Sequence, residues 1–176
     1  IEYHCWQGGG GYGDPLERDP AMVASDVRNR IVSEPVAGDI YGVILANGQA
    51  DGEATRKRRE SIRRERLARA RPGKEVFSSA GDAGAPPIEI AKAANAGGRV
   101  SFGDLLDFDF KADQVRCMQC KTVLGQACGD FRLGCMVEEA PVTRAGPGRG
   151  EDYDAGRIHL RVSYCPGCGR QLDTEV

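Results

Sequence analysis

The sequence predicts an α+β chain: a helix-rich tail segment followed by a β-rich module of the zinc-ribbon kind. Three observations lead there. Helix caps and apolar residues at helical spacing lie within residues 1–71. Strand-like alternation and short turns prevail over residues 99–176. Four of the seven cysteines fall in two C-x-x-C pairs, each beside a strand-like run. Between the two parts, residues 72–98 are rich in Ala, Gly, Ser and Pro and read as a linker.

In chain order, residues 8–15 read Gly-Gly-Gly-Gly-Tyr-Gly-Asp-Pro, five glycines in eight positions, which is a loop because ordering glycine costs the most backbone entropy. Asp19-Pro20 starts a helix, with Asp as N-cap and Pro at the first helical position. Val23, Val27 and Ile31 then form one apolar stripe at i, i+4, i+8. Ser33 caps a further turn ahead of Gly38, and Tyr41 to Leu45 is a short strand closed by the Asn47-Gly48 turn signal. From Glu53 to Arg71 there is neither Gly nor Pro, and the stretch is dense in good helix formers, so a helix runs to the stop at Pro72-Gly73. In the second part Arg99 to Phe102 is a strand, residues 141–157 are a loop, and Ile158 to Tyr164 alternates as a half-buried strand leading straight into Cys165.

The formal net charge of -2 makes the whole chain a poor polyanion binder. Residues 1–71 carry 12 Lys/Arg against 11 Asp/Glu, and residues 56–71 alone hold nine basic side chains against two acidic ones. Only Ile62 and Leu67 are large and apolar on that helix. Three uses are open to it: a solvated face, docking onto an acidic partner, or phosphate contacts. The missing aromatic interleaving weighs against nucleic acid. No apolar run approaches the roughly 18 residues of a membrane span, and no signal peptide is visible. Cysteine usage fits a reducing compartment, so a cytoplasmic protein is expected.

The chemistry lies in Cys117-Met118-Gln119-Cys120 and Cys165-Pro166-Gly167-Cys168-Gly169. Structural zinc is held in a tetrahedron by two such pairs, because a C-x-x-C turn aims two sulfurs at one ion. Cys117, Cys120, Cys165 and Cys168 are therefore the expected ligands of one structural Zn2+. Four thiolates leave no open coordination position, so a catalytic zinc is not expected. A redox pair or an iron–sulfur cluster uses the same residue type, but two C-x-x-C motifs outside a βαβ context fit those roles less well. Cys128 and Cys135 are read as small buried residues, Cys5 beside His4 and Trp6 as packed, and His159 as a surface residue. There is no Ser-His-Asp set and no paired-carboxylate site, and the glycine run lacks the Lys-Ser/Thr of a phosphate loop. No catalytic residue is assigned, and the chain by itself is expected to turn over nothing.

Two resemblances add to this reading. Gly8-Gly9-Gly10-Gly11-Tyr12-Gly13-Asp14-Pro15-Leu16-Glu17-Arg18-Asp19-Pro20, with Asp26-Val27, Val32-Ser33, Tyr41-Gly42-Val43, Asp51 and Ala54-Thr55, resembles the C-terminal end of the hydantoinase B/oxoprolinase family. Cys117-x-x-Cys120, with the ending Cys165-Pro166-Gly167-Cys168-Gly169-Arg170-Gln171-Leu172-Asp173-Thr174-Glu175-Val176, looks like the small zinc-containing subunit of the acetone and acetophenone carboxylases. Those resemblances imply a structural subunit of an ATP-dependent ketone carboxylase, a ligase, assembled with hydantoinase A-like and hydantoinase B-like large subunits. ATP and a divalent metal are then expected on the partners. The alternatives are a zinc-ribbon subunit of a hydantoinase or oxoprolinase-type ATP-dependent amidohydrolase, and a nucleic-acid-binding zinc ribbon. A small subunit of this kind is not expected to carry a hydantoinase B tail, so the joining of the two parts is a departure from the family pattern.

Overall fold

Capping side chains start the helices of the first part. The computed structural model describes residues 13–77, 97–141 and 159–175. His4, Cys5, Trp6, most of the glycine run, the interior of the linker, the loop after Pro141 and Ile158 lie outside these residues. Helices and antiparallel sheets are both present, so the chain is α+β. It divides into two compact units, with the break between Arg69 and Ala70.

In the first unit, Asp14 accepts from the Leu16 amide to start a 3-10 turn over Pro15–Glu17. Asp19 accepts from the Ala21 amide to start α1, Pro20–Arg28, with Pro20 in its first turn. Ser33 caps α2, Glu34–Asp39. A hairpin of β1, Leu45–Ala46, and β2, Gln49–Ala50, turns at Asn47 and Gly48, both at positive φ. Of the strand expected over residues 41–45, only Leu45 lies in β1, which runs on to Ala46 and pairs with β2 at those two positions alone. The long helix α3 is Gly52–Arg69, with Asp51 accepting from the Ala54 amide at its start.

Val23, Ala37 and Val43 form the small apolar core of this unit, with Val27, Val32, Tyr41, Leu45 and Ala50 packed around it. Ile31 does not continue the stripe of Val23 and Val27: α1 ends at Arg28, and Ile31 stands 71% exposed.

The basic helix is neither bare nor reserved for a partner. Arg59, Ile62, Arg63 and Arg66 fall on one face of α3 by their spacing. Arg59 Nε donates to the Tyr41 carbonyl at 3.0 Å, and its Nη2 donates to the Arg18 carbonyl at 2.6 Å. Burial is the main cause lowering the Arg59 pKa from its ordinary value. Arg63 pairs with Glu17 at 2.6 Å, and Arg66 holds buried Asp14 through two N–H donors at 2.8 and 3.0 Å. For these two arginines the acidic groups are this chain's own Glu17 and Asp14. Two large apolar residues cannot anchor eighteen residues of helix, and guanidinium forks onto carboxylates and carbonyls make up the difference. On the outward side, Arg56 pairs with Glu60 and Lys57 with Glu53 at i, i+4.

Gly42 lies under this seam at φ +63, and a Cβ there would fall 2.7 Å from Arg59 Cγ and 3.2 Å from Leu16 Cδ2. Gly42→Ala is expected to destabilise the first unit by about 1 kcal/mol or more, since both backbone and space oppose a side chain. Urea unfolding followed by far-UV circular dichroism measures it, and an unchanged midpoint would contradict the reading.

Among the described residues, the second unit holds two four-stranded antiparallel sheets. One runs β4 (Arg99–Phe102), β5 (Leu106–Asp109), β6 (Gln114–Cys117) and β7 (Val123–Gly125) in that order. In the other, β3 (Arg71–Pro72) pairs with β8 (Met136–Pro141), which pairs with β9 (His159–Tyr164), which pairs with β10 (Gln171–Glu175). Leu105, Leu106, Phe108, Val115, Leu124, Val137 and Leu172 close the core together with Cys117, Cys135 and Cys165. Leu160, Val162 and Tyr164 are buried as their alternation predicts, but Ser163 is buried as well, since β9 is an inner strand flanked by Val137 and Asp173.

Residues 71–77, read from sequence as the end of the long helix and the start of a linker, belong to this unit. After β3, a single turn α4, Gly73–Val76, leads to Phe77, and the guanidinium groups of Arg132 and Arg161 lie 4.8 and 5.6 Å from its ring centre. Arg132 is in turn paired with Asp130 and Glu175, and Arg161 with Glu139. That cation–π clasp, with its carboxylates, holds the segment where composition alone suggested a tether.

Candidate metal centre

The first cysteine pair turns the chain from β6 to β7, and the second turns it from β9 to β10. Both turns are built alike. The Lys121 amide donates to the Cys117 carbonyl at 2.9 Å, and the Gly169 amide donates to the Cys165 carbonyl at 2.8 Å. The Cys117 amide donates to the Thr122 carbonyl, and the Cys165 amide donates to the Arg170 carbonyl. Both turns need a left-handed residue just after the second cysteine, Gly169 at φ +68 and Lys121 at φ +62. Glycine adopts that conformation freely, whereas at 121 a lysine bears the strain, about 1 kcal/mol or more.

The sulfurs converge. Cys117, Cys120, Cys165 and Cys168 place all four Sγ atoms within 4.8 Å of one another, a group that could hold a metal ion. Across the turns, Cys120 Sγ lies 3.4 Å from Cys165 Sγ, and Cys117 Sγ lies 3.9 Å from Cys168 Sγ. Cys117 and Cys165 are buried, Cys168 is intermediate and Cys120 is exposed.

Backbone amides point at the sulfurs as well. Cys117 Sγ accepts from the amides of Gln119 and Cys120, Cys165 Sγ from Gly167 and Cys168, and Cys168 Sγ from Arg170. Hydrogen bonds from Cys165 and Cys168 lower the Cys117 thiol well below its ordinary value. The reciprocal bond to Cys117 pushes Cys165 up to about 12 and raises Cys168. Sulfurs this close compete for negative charge, and a cation placed among thiolates favours their ionised form.

Neither remaining described cysteine joins the cluster. Cys135 is buried, its Sγ donates to the Phe131 carbonyl at 3.4 Å, and burial pushes its thiol up to about 12. Cys128, expected to be buried, is exposed in the turn after β7. His159 is exposed at the start of β9. Sequence reasoning passed over Thr122, whose Oγ1 lies 3.1 Å from Cys120 Sγ. Its signal was available: Thr122 stands two residues after the second cysteine of its pair, as Arg170 does in the other. Among the described residues, no helix is long and apolar enough to cross a membrane.

Comparison with known proteins gives three informative relatives. Over 75 residues the chain is 43% identical to the acetone carboxylase alpha subunit of Xanthobacter autotrophicus, covering 39% of this chain and 10% of that one. Over 53 residues it is 55% identical to the caprolactamase subunit beta of Pseudomonas jessenii, covering 30% of this chain and 9% of that one. Over 82 residues it is 33% identical to the acetophenone carboxylase beta subunit of Aromatoleum aromaticum, covering 44% of this chain and 64% of that one. The chain therefore spans about a tenth of two of these relatives and somewhat under two thirds of the third. No family model matches it. No solved structure matches it.

Proposed function

We propose that this chain is a small, structural, zinc-binding subunit of an ATP-dependent ketone carboxylase of the acetophenone type. The observation that carries this most is the likeness to an acetophenone carboxylase beta subunit over 64% of that subunit's length. The acetone carboxylase alpha subunit supports the same class of complex. Partners are hydantoinase A-like and hydantoinase B-like large subunits, which carry ATP and its divalent metal, and the chemistry of carboxylation resides there.

The four sulfurs suit zinc. A tetrahedral zinc thiolate has Zn–S bonds of about 2.3 Å, which places neighbouring sulfurs roughly 3.8 Å apart. The cross-turn separations of 3.4 and 3.9 Å lie close to that edge, and amides already point at three of the sulfurs. Bound there, zinc would supply folding energy and no catalysis, since Cys117, Cys120, Cys165 and Cys168 use every position of the tetrahedron. Metal analysis of the purified chain is expected to find one zinc per chain, and iron in its place would end this assignment.

Large apolar side chains left in water support a subunit role. Met22 on α1, Ile31 in the following loop, and Val36 and Ile40 on and after α2 are all exposed. Single exposed apolar residues are ordinary, but four within nineteen residues of one small unit suit a surface that another subunit covers. Ile31→Glu combined with Ile40→Glu is expected to cut recovery of the complex tenfold or more after co-expression with the large subunits. Circular dichroism of the variant should match the wild type. Undiminished recovery would remove this surface from the assembly.

A second reading has its own support. The 55% identity to a caprolactamase subunit beta favours a subunit of an ATP-dependent amidohydrolase. Native mass spectrometry of the assembly, followed by assay with a ketone and bicarbonate or with a cyclic amide, separates the two.

A further inference from the structure

The two cysteine turns match in their backbone, and at one of the four sulfurs a side-chain hydroxyl comes within hydrogen-bonding distance. Cys168 Sγ accepts from the backbone amide of the residue two positions on, Arg170. At the corresponding place after Cys120, it is the side chain of Thr122 that reaches the sulfur, with Oγ1 at 3.1 Å. Cys120 is also the exposed member of the four, the sulfur where water and competing ligands have the easiest approach. The other turn is shaped around this contact. A Cβ on Gly167 would lie 2.2 Å from Thr122 Oγ1 and 3.2 Å from Cys120 Sγ, so only glycine at 167 leaves the hydroxyl its place.

We propose that Thr122 is a positioning residue of the metal centre: its hydroxyl donates to the Cys120 thiolate, and Gly167 of the opposite turn leaves the space for that bond. The inference rests on the metal reading above. A hydrogen bond to a thiolate lowers the energy of the sulfur lone pairs, restrains the side chain and slows its exchange off the metal. The exposed ligand gains most, because the other three are held by burial, by amide donors or by both.

The test uses the full chain loaded with zinc, and separately with cobalt(II), as wild type, Thr122→Val and Thr122→Ser. Valine keeps the shape of threonine and removes the hydroxyl, while serine keeps the hydroxyl. Release of zinc to a coloured chelator is expected to run about tenfold faster in Thr122→Val and close to wild type in Thr122→Ser. The sulfur-to-cobalt charge-transfer band should move to longer wavelength in Thr122→Val alone, since the freed lone pairs lie higher. Gly167→Ala should move the release rate in the same direction as Thr122→Val. If Thr122→Val matches wild type in both rate and band, the inference is overturned while the metal reading stands. A wild-type chain that takes up neither metal overturns both.

Discussion

Cys165→Ser is expected to abolish metal binding and to unfold the second unit as a whole. Cys165 is fully buried among Leu106, Val115, Leu124, Val137 and Leu172, and its sulfur sits at the meeting of the two sheets. A serine hydroxyl ionises far too weakly to replace a thiolate, so the site would fall to three ligands. In small metal modules the binding free energy is folding free energy, about 10–16 kcal/mol for structural zinc in zinc-finger peptides. A domain's whole stability is typically about 5–15 kcal/mol, so that loss is not absorbed elsewhere. Metal content should drop from one ion per chain to none, and the dispersed amide resonances of residues 97–141 and 159–175 should collapse. Those of residues 13–69 should persist, because that unit has an apolar cluster of its own. A metal-free variant that kept the spectrum of the second unit would show that the sheets, and not the ion, hold it together.

Arg66→Met is expected to be the most damaging single change in the first unit. The Arg66 and Asp14 side chains are 8% and 0% exposed, and the carboxylate also accepts from the Leu16 amide. Removing one member of such a pair leaves a buried charge and costs about 3–5 kcal/mol. The urea midpoint of the first unit should fall accordingly, and added salt should not restore it, because a buried charge is poorly screened. Pairing Arg66→Met with Asp14→Asn should recover part of the loss by removing the stranded charge, a coupling that a double-mutant cycle reads directly. Simple additivity of the two changes would mean that the fork contributes little. Altering Arg59, Arg63 or Arg66 strikes this unit's own fold before it can report on any partner.

Much of the first unit was legible because its signals are local. Asp19-Pro20, Ser33 and Asn47-Gly48 act through hydrogen bonds and dihedral angles within a few residues, so they work wherever the chain goes. The start of α3 falls one residue from the expected Glu53, but its end falls at Arg69, ahead of the expected stop at Pro72-Gly73. Its partners were not legible, since nothing in a run of arginines says which carbonyl or carboxylate each will meet. Asp14 and Arg66 are 52 residues apart, and Arg18 and Arg59 are 41 apart. The three-residue β7 and the inner strand β8 went unread too, the latter because it is held between β3 and β9, which lie far from it in sequence.

The spacing of Cys117, Cys120, Cys165 and Cys168 determined the candidate metal ligands without any structure, because a C-x-x-C turn has few ways to aim its sulfurs. It could not say that Cys120 would be the exposed one, that Thr122 would lie against it, or that Gly167 would leave the room. Nor could composition say that residues 71–77 join the second unit through β8 and Phe77. Those facts arise where segments far apart in sequence meet. There a side chain's role depends on the shape of the opposite surface, and no local preference encodes that shape.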